Sequence, residues 1–293
     1  MKYRLFGKTQ RSLSVFSLGT MRYLSSEKNA VETVHQAIAL GINHLETARG
    51  YGKSEQFLGV ALQSGLPITR AQLCITTKLP PTPDAAQMES WIDESLQRLK
   101  LDYLDCLAIH GLNTWEHLTW VQATDGCMQA IHRAVADGRV RHVGFSTHGS
   151  LELILAAIAT DLFAFVNLHY TYFFQRHAAA IELAHQKNMG ILIISPADKG
   201  GLLYTPPSTL SELCAPLSPL DLNYRFLLSD RRITTLSLGA ANPAELVQPL
   251  QVADRVDPLT LAEQQILERL QAHQAATLET DLCSQCYACL PCP

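Results

Sequence analysis

Short apolar runs alternate with amphipathic stretches from one end of this chain to the other, and that alternation restricts its fold more than any single motif does. Ile42–Glu46, Leu73–Lys78 and Tyr103–His110 set the pattern: each is a short apolar run that ends on a polar residue. Such runs read as parallel strands buried on both faces, with the last residue exposed at the carboxyl end. Helical periodicity fills the gaps, over Glu27–Leu40, Ser54–Gln63 and Ala85–Leu99, and Gly41 and Gly65 stand where helix caps are expected. Further strands are predicted at Val15–Gly19, Val140–Phe145, Phe163–Leu168, Gly190–Ile194 and Ile233–Leu238. The intervening helices are one ending at Ala136, Leu151–Ala159, His177–Lys187 and one starting at Ala244. Eight strand-helix units predict the α/β class and a (β/α)8 TIM barrel, which accommodates most of the 293 residues as one domain. The region around Gly7 and Arg11 is expected to form a hairpin over the barrel bottom. A doubly wound sheet is the competing architecture, but its GxGxxG turn after the first strand is absent: Gly19-Thr20-Met21 stands there instead.

The pattern changes near Asp257-Pro258. Residues 1–256 are assigned to the barrel, and 257–293 to a C-terminal helix, Leu259–Ala276, with a cysteine-rich tail. A hydrophobic share of 47% supports a large core, yet no apolar run reaches the roughly 18 residues of a membrane span. Met1-Lys2-Tyr3-Arg4-Leu5 lacks the apolar core of a signal peptide, so a cytoplasmic protein is expected. A formal charge of −4 with no basic run excludes nucleic acid and anionic membrane as the expected partners and leaves small molecules.

The eight cysteines fall into two groups. Cys74, Cys106, Cys127 and Cys214 sit in apolar settings as buried thiols, not as a secreted disulfide framework. Cys283, Cys286, Cys289 and Cys292 follow one another at CxxC spacing and end in Pro293. That run is close to the ferredoxin pattern C-x2-C-x2-C-x3-C-P, one residue shorter in its last gap, and predicts a [4Fe–4S] cluster; zinc on the same four thiolates and an empty site are the alternatives.

In a (β/α)8 barrel the working residues stand at the carboxyl ends of the strands, which selects Glu46, Lys78 and His110, with Tyr51 in the Gly50-Tyr51-Gly52 loop. Taken singly, each has a plain reading: a turn tyrosine, a lysine reaching for water, a core histidine. Their occurrence at successive strand ends is what argues for chemistry. The segments Gly41-Ile42-Asn43-His44-Leu45-Glu46-Thr47-Ala48-Arg49-Gly50-Tyr51-Gly52-Lys53-Ser54-Glu55, Thr77-Lys78, Ile109-His110, Val143-Gly144-Phe145-Ser146 and Leu238-Gly239-Ala240-Ala241-Asn242 together resemble the aldo/keto reductase family, over about residues 1–255. A subset of that family carries a similar cysteine tail.

The resemblance implies an NADPH-dependent reductase of aldehydes and ketones in which Tyr51 donates a proton to the carbonyl oxygen. A free phenol, with a pKa about 10, is a poor acid at neutral pH, and an ammonium group within a few ångströms lowers such a value by roughly one to three units. Lys78 takes that role, Glu46 pairs with Lys78, and His110 orients the carbonyl oxygen. The family usually has aspartate where this chain has Glu46, so the Lys78 contact is expected to be looser or the backbone adjusted. For NADP(H), with NAD(H) as the other choice, Ser146 and Asn167 are expected at the nicotinamide carboxamide. Ser195 and Lys199, in a glycine-rich loop, are expected at the pyrophosphate, and Gly239, Ala240 and Asn242 at the adenosine phosphate, where a helix begins. Relatives that prefer NADP place a basic residue near that last turn; here Arg225, Arg231 or Arg232 would have to reach in. Ile194 stands where many relatives stack an aromatic ring on the nicotinamide, a role open to Tyr170 or Tyr204. The loop Gly111–Ala123, with Trp115, His117 and Trp120, is expected to shape the substrate pocket. Two other functions stay open on the same barrel: a nucleotide-binding sensor, and an iron–sulfur electron-transfer protein with a redox protein partner.

Overall fold

The structure, a computed structural model, describes residues 1–278. After a hairpin of β1 (Tyr3–Leu5) and β2 (Ser12–Ser14), the chain runs β3 (Phe16–Gly19), α1 (Glu27–Ala39), β4 (His44–Glu46), α2 (Ser54–Leu62), β5 (Cys74–Leu79) and α3 (Ala85–Leu99). It continues through β6 (Leu104–His110), α4 (Trp115–Gln122), α5 (Cys127–Ala136), β7 (Val140–Ser146), α6 (Leu151–Ala159), β8 (Phe165–His169) and α7 (Ala178–Gln186). Then follow β9 (Gly190–Ile194), α8 (Ser208–Cys214), α9 (Pro219–Ser229), β10 (Thr235–Leu238), α10 (Val247–Leu250) and α11 (Leu261–Leu278). Strands β3 to β10 are parallel neighbours in chain order, and β10 pairs with both β9 and β3, which closes the barrel.

The period-two alternation of the strands sorts their side chains between two cores. Ile75 and Leu79 of β5, with Leu107 and Ile109 of β6, face the helices and join the larger core. Cys74, Cys106, Ala108, Phe165 and Leu192 fill the barrel itself, and Phe6 of the hairpin joins them from below. The expected bottom cover is thus a plug: the Phe6 ring lies 5.2 Å from that of Phe165. Above it is a buried polar layer in which Ser17 Oγ meets His44 Nδ1 at 2.6 Å and Thr235 Oγ1 at 2.7 Å, and His44 Nε2 meets Thr76 Oγ1 at 2.8 Å. Burial pushes His44 down to about 4, so this layer is uncharged at neutral pH. Helices cover the outside through apolar stripes. In α1, Ala30, Thr33, Val34, Ala37 and Ile38 are buried at the spacing of one helical face, and Ser26 caps the helix by accepting the Asn29 N–H. Burying a valine such as Val34 contributes roughly 1.5–3 kcal/mol, and Val34→Asp would undo it.

Three segments depart from the sequence reading. Most of the segment taken as the Gly111–Ala123 loop is α4, because Thr114 accepts the His117 N–H and Leu118 and Val121 bury one face. Between β9 and β10, where no helix was expected, stand α8 and α9, and Ser218 caps α9. The helix expected from Ala244 is a 3-10 turn, Pro243–Leu246, followed by the single turn of α10. The predicted C-terminal helix is present as α11 and docks on the barrel's outer helices: Ile266 and Leu270 pack with Cys214 and Leu222, and Glu263 pairs with buried Arg225 at 2.8 Å. Cys74, Cys106, Cys127 and Cys214 are buried free thiols, as expected. Cys283, Cys286, Cys289 and Cys292 lie outside the described residues. Among the described residues no helix is long and apolar enough to cross a membrane.

Candidate active site

Parallel register carries five polar side chains to the top of the barrel. Glu46 is paired with Gly19 on one side and Thr76 on the other, and Lys78 and Ala108 are paired two residues further on. His110 is paired with Ser146, and Ser146 with Asn167. Lys78 Nζ lies 2.6 Å from Glu46 Oε2 and donates to the Thr47 carbonyl at 3.2 Å; both side chains are almost wholly buried, 2% and 6% exposed. Desolvation works against both charges. For Glu46 the Lys78 charge and hydrogen bond, with one from Ser237, outweigh burial and hold the carboxyl below its ordinary range. For Lys78 the charge of Glu46, together with Tyr51, outweighs burial and holds the amine above its ordinary value. The two shifts agree on an ion pair at neutral pH.

The contact expected to be loose is therefore close. Gly19 is the reason: a Cβ there would meet Ser237 Oγ at 2.6 Å and Glu46 Oε1 at 3.3 Å, so the absence of a side chain makes room for the longer acid. The Ser237 hydroxyl donates to the same Oε1. Sequence reading passed over Ser237, although Thr235 and Ser237 are polar at alternate positions of an otherwise apolar strand, which marks them as facing the barrel interior.

Tyr51 and His110 stand above this pair. The Lys78 ammonium is 5.2 Å from the centre of the Tyr51 ring, and the Tyr51 and His110 rings meet edge to face with centroids 5.5 Å apart. The Tyr51 turn is tied down at both ends: its N–H donates to the Ala48 carbonyl, and its own carbonyl accepts the Ser54 N–H, each at 3.0 Å. Burial, assisted by the Lys78 charge, pushes His110 down to about 4, which leaves a neutral imidazole able to donate one hydrogen bond. All four predicted residues line a cavity of about 1060 Å³, at the upper end of the size range of ligand pockets.

Of the residues expected to hold a dinucleotide, Ser146, Ser195 and Gly239 line this cavity, and so do Ile194, Tyr204, Gly200 and Gly201. Ser146 Oγ accepts the Gly111 N–H at 3.1 Å, which fixes its position. Asn167 is buried beneath the floor with Nδ2 3.5 Å from Glu46 Oε2, and its Oδ1 has no partner. That orphaned acceptor beside Ser146 and the size of the cavity fit an amide-bearing dinucleotide. Lys199 does not line the cavity; its ammonium lies 5.8 Å from the centre of the Phe174 ring, and Asp198 of the same loop faces the cavity instead. Ala240 and Asn242 are also off the wall. Two N–H groups of that turn already have side-chain acceptors: Glu245 takes the Ala241 N–H and Asn242 caps Ala244.

None of the arginines named for the adenosine end reaches it. Arg225 is committed to Glu263, Arg232 to Asp230 and Glu182, and Arg231 does not line the cavity. The cation present is Arg22, from the loop after β3, which donates to the Gly239 carbonyl at 2.7 Å and to Glu245 at 2.8 Å. It follows β3 by three residues, and only barrel closure puts it beside β10. Tyr170 packs away from the cavity against Phe226, while Tyr204 stays on its wall. Trp115, His117 and Trp120 are carried off by α4; Gly111, Asn113 and His148 line that end of the cavity instead.

The sequence matches the aldo/keto reductase family over residues 16–271. It is 24% identical to an uncharacterized oxidoreductase, YqkF, of Bacillus subtilis, over 93% of this chain and 96% of that protein. It is 30% identical to L-galactose dehydrogenase of Arabidopsis thaliana over 50% of this chain, and it spans about half of that relative, 48%. Among solved structures, an aldo-keto reductase from Klebsiella pneumoniae in complex with NADPH superposes with a TM-score of 0.75 at 20% identity, covering 92% of this chain and 94% of that one.

Proposed function

This chain belongs to the aldo/keto reductase family, and on that premise we propose that it is an NADPH-dependent oxidoreductase that reduces aldehyde or ketone carbonyls to alcohols. The observation that carries the reading is the buried Lys78–Glu46 pair, 2.6 Å apart, directly beneath a tyrosine and a neutral histidine on one cavity wall. A bound reduced nicotinamide supplies the hydride to the carbonyl carbon. Tyr51 gives its phenolic proton to the carbonyl oxygen, and the Lys78 ammonium stabilises the phenolate left behind. Glu46 keeps Lys78 charged and aimed. His110, uncharged, donates to the carbonyl oxygen and orients the substrate without competing as the acid.

Ser146, Asn167, Ser195 and the backbone of Gly200, Gly201 and Gly239 are the groups that support dinucleotide binding. NADP(H) is favoured over NAD(H) because the aldo-keto reductase from Klebsiella pneumoniae was solved in complex with NADPH, and because Arg22 stands at the far lip of the trough. Glu245 is its present partner and the group an added phosphate would have to displace. The intact Tyr51, Lys78 and His110 set favours catalysis over a pure sensor. A reducing compartment such as the cytoplasm is part of this proposal, supported by the scatter of Cys74, Cys106, Cys127 and Cys214 in apolar settings, which is unlike a secreted disulfide framework.

Residues 257–293 form the second unit of this proposal, a helix and a tail in which Cys283, Cys286, Cys289 and Cys292 hold a [4Fe–4S] cluster, with a redox protein as partner. Four thiolates at this spacing support the cluster. Iron and sulfide content after anaerobic purification tests it, and Cys286→Ser should abolish both. For the main reading, Tyr51→Phe is expected to lose aldehyde-dependent NADPH oxidation by about 10²–10⁴ while keeping nucleotide binding by fluorescence; an unchanged rate would refute the assigned acid.

A further inference from the structure

Helix α9 brings two neighbouring polar side chains, Asn223 and Tyr224, against the cavity. Asn223 is wholly buried and ties the helix down twice: its Nδ2 donates to the Pro196 carbonyl at 2.6 Å, and its Oδ1 accepts the Tyr172 N–H at 2.8 Å. Pro196 is on the cavity wall, and so is Tyr224, the next residue of the helix. The Tyr224 ring is wholly buried and meets the Phe16 ring edge to face, with centroids 5.4 Å apart, which fixes the line along which its hydroxyl points.

That hydroxyl has no hydrogen-bond partner among the described residues. Burial, reinforced by the nearby Tyr204 phenol, holds it well above the ordinary tyrosine value, so it is protonated at neutral pH and able to donate. Tyr204 stands close to it without meeting it in hydrogen-bond geometry. A phenylalanine would fill the same space, whereas a buried hydroxyl left unmet destabilises the fold. The donor calls for an acceptor, and the cavity is where one can arrive.

Position narrows the choice. From floor to lip, the β10 side of the wall runs from Ser237, which donates to Glu46, through Leu238 to Gly239, whose carbonyl accepts from Arg22. The loop after β9 runs beside it as Ser195, Pro196, Ala197 and Asp198. Asn223 fixes α9 at Pro196, within that run, which puts Tyr224 between the Lys78–Glu46 pair at the reacting end and Arg22 at the far lip. The middle of a dinucleotide is its diphosphate, whose ionised oxygens are acceptors for a phenolic O–H.

We propose that Tyr224 is a dinucleotide-binding residue whose hydroxyl donates to a diphosphate oxygen of NADP(H). This rests on the reading of the cavity as the dinucleotide site and adds a residue from a covering helix to it.

The test is calorimetric titration of wild type and Tyr224→Phe with three probes: NADPH, 2′-phospho-ADP-ribose, which keeps the diphosphate but lacks nicotinamide, and adenosine 2′-monophosphate, which lacks the diphosphate. Loss of one hydrogen bond to a charged group should weaken the first two by about tenfold to a hundredfold and leave the third within about twofold. The thermal midpoint of the free protein should be equal or higher in Tyr224→Phe, because the hydroxyl has no protein partner to lose; a merely structural role would lower it. An unchanged NADPH affinity would mean that water alone meets the hydroxyl, and it overturns the inference. A loss confined to NADPH, a loss shared by adenosine 2′-monophosphate, or a loss that comes with a lower midpoint overturns it as well. A wild type that binds none of the three removes the dinucleotide reading and this inference with it.

Discussion

Replacing Lys78 by methionine separates what the buried ion pair does for the fold from what it does for the reaction. At 2.6 Å and an effective dielectric constant of about 20, the Lys78–Glu46 attraction is about 6 kcal/mol. Desolvation of both groups takes back much of that, and their burial leaves little access for water to replace a lost partner. Lys78→Met therefore strands a carboxylate, and unfolding by urea should show a loss of about 3–5 kcal/mol. Lys78→Met combined with Glu46→Leu removes both charges and should recover to within about 1 kcal/mol of wild type. Turnover behaves differently: both variants should lose about 10²–10⁴ in kcat, because neither leaves an ammonium beside Tyr51. pH adds a second readout. Glu46, held below its ordinary range, contributes stability above the unfolded carboxylate value of about 4.3 and loses it as pH falls through the lower folded value. Lys78, held above its ordinary value, contributes fully below about 10.4 and loses that contribution as pH rises through the higher folded value. The wild type should therefore weaken relative to the double variant below about pH 4 and again above about pH 10.4. A single variant as stable as wild type, or a double variant with undiminished kcat, would refute the reasoning.

Gly19→Ala puts a Cβ 2.6 Å from Ser237 Oγ and should cost roughly 1–3 kcal/mol in urea unfolding and lower kcat, since the acid it displaces is the one that aims Lys78. His110 is neutral down to about pH 4, so kcat/KM should show no inflection from this residue between about pH 5 and 7; an inflection near 6.5 that disappears in His110→Asn would overturn that assignment. Arg22→Met should weaken NADPH binding by about two- to fivefold and NADH binding less, read by fluorescence titration, because an exposed cation contributes at most about 1 kcal/mol. Equal loss for both nucleotides would show that Arg22 does not meet the extra phosphate.

How much of this was legible in the chain depends on the range of the interaction. Periodicity is local, so the eight strands and most covering helices could be read from sequence, as could the hairpin beneath them; α4 was missed because tryptophans and a histidine obscured a short capped helix. The candidate catalytic residues were legible for a related reason: in a barrel of parallel strands, the last polar residue of each apolar run must emerge at one rim, so Glu46, Lys78 and His110 had to meet once the barrel closed. What the sequence did not disclose are contacts between residues far apart along the chain. Gly19 making room for Glu46, Ser237 holding its other oxygen, Arg22 reaching the turn after β10, and Asn113 fixed by the backbone of His148 all depend on which strand lies beside which and on the tilt of each side chain. The same reason explains why Lys199, Ala240 and Asn242 lie off the cavity wall: the direction each side chain takes is decided by packing and by acceptors that only the closed barrel supplies.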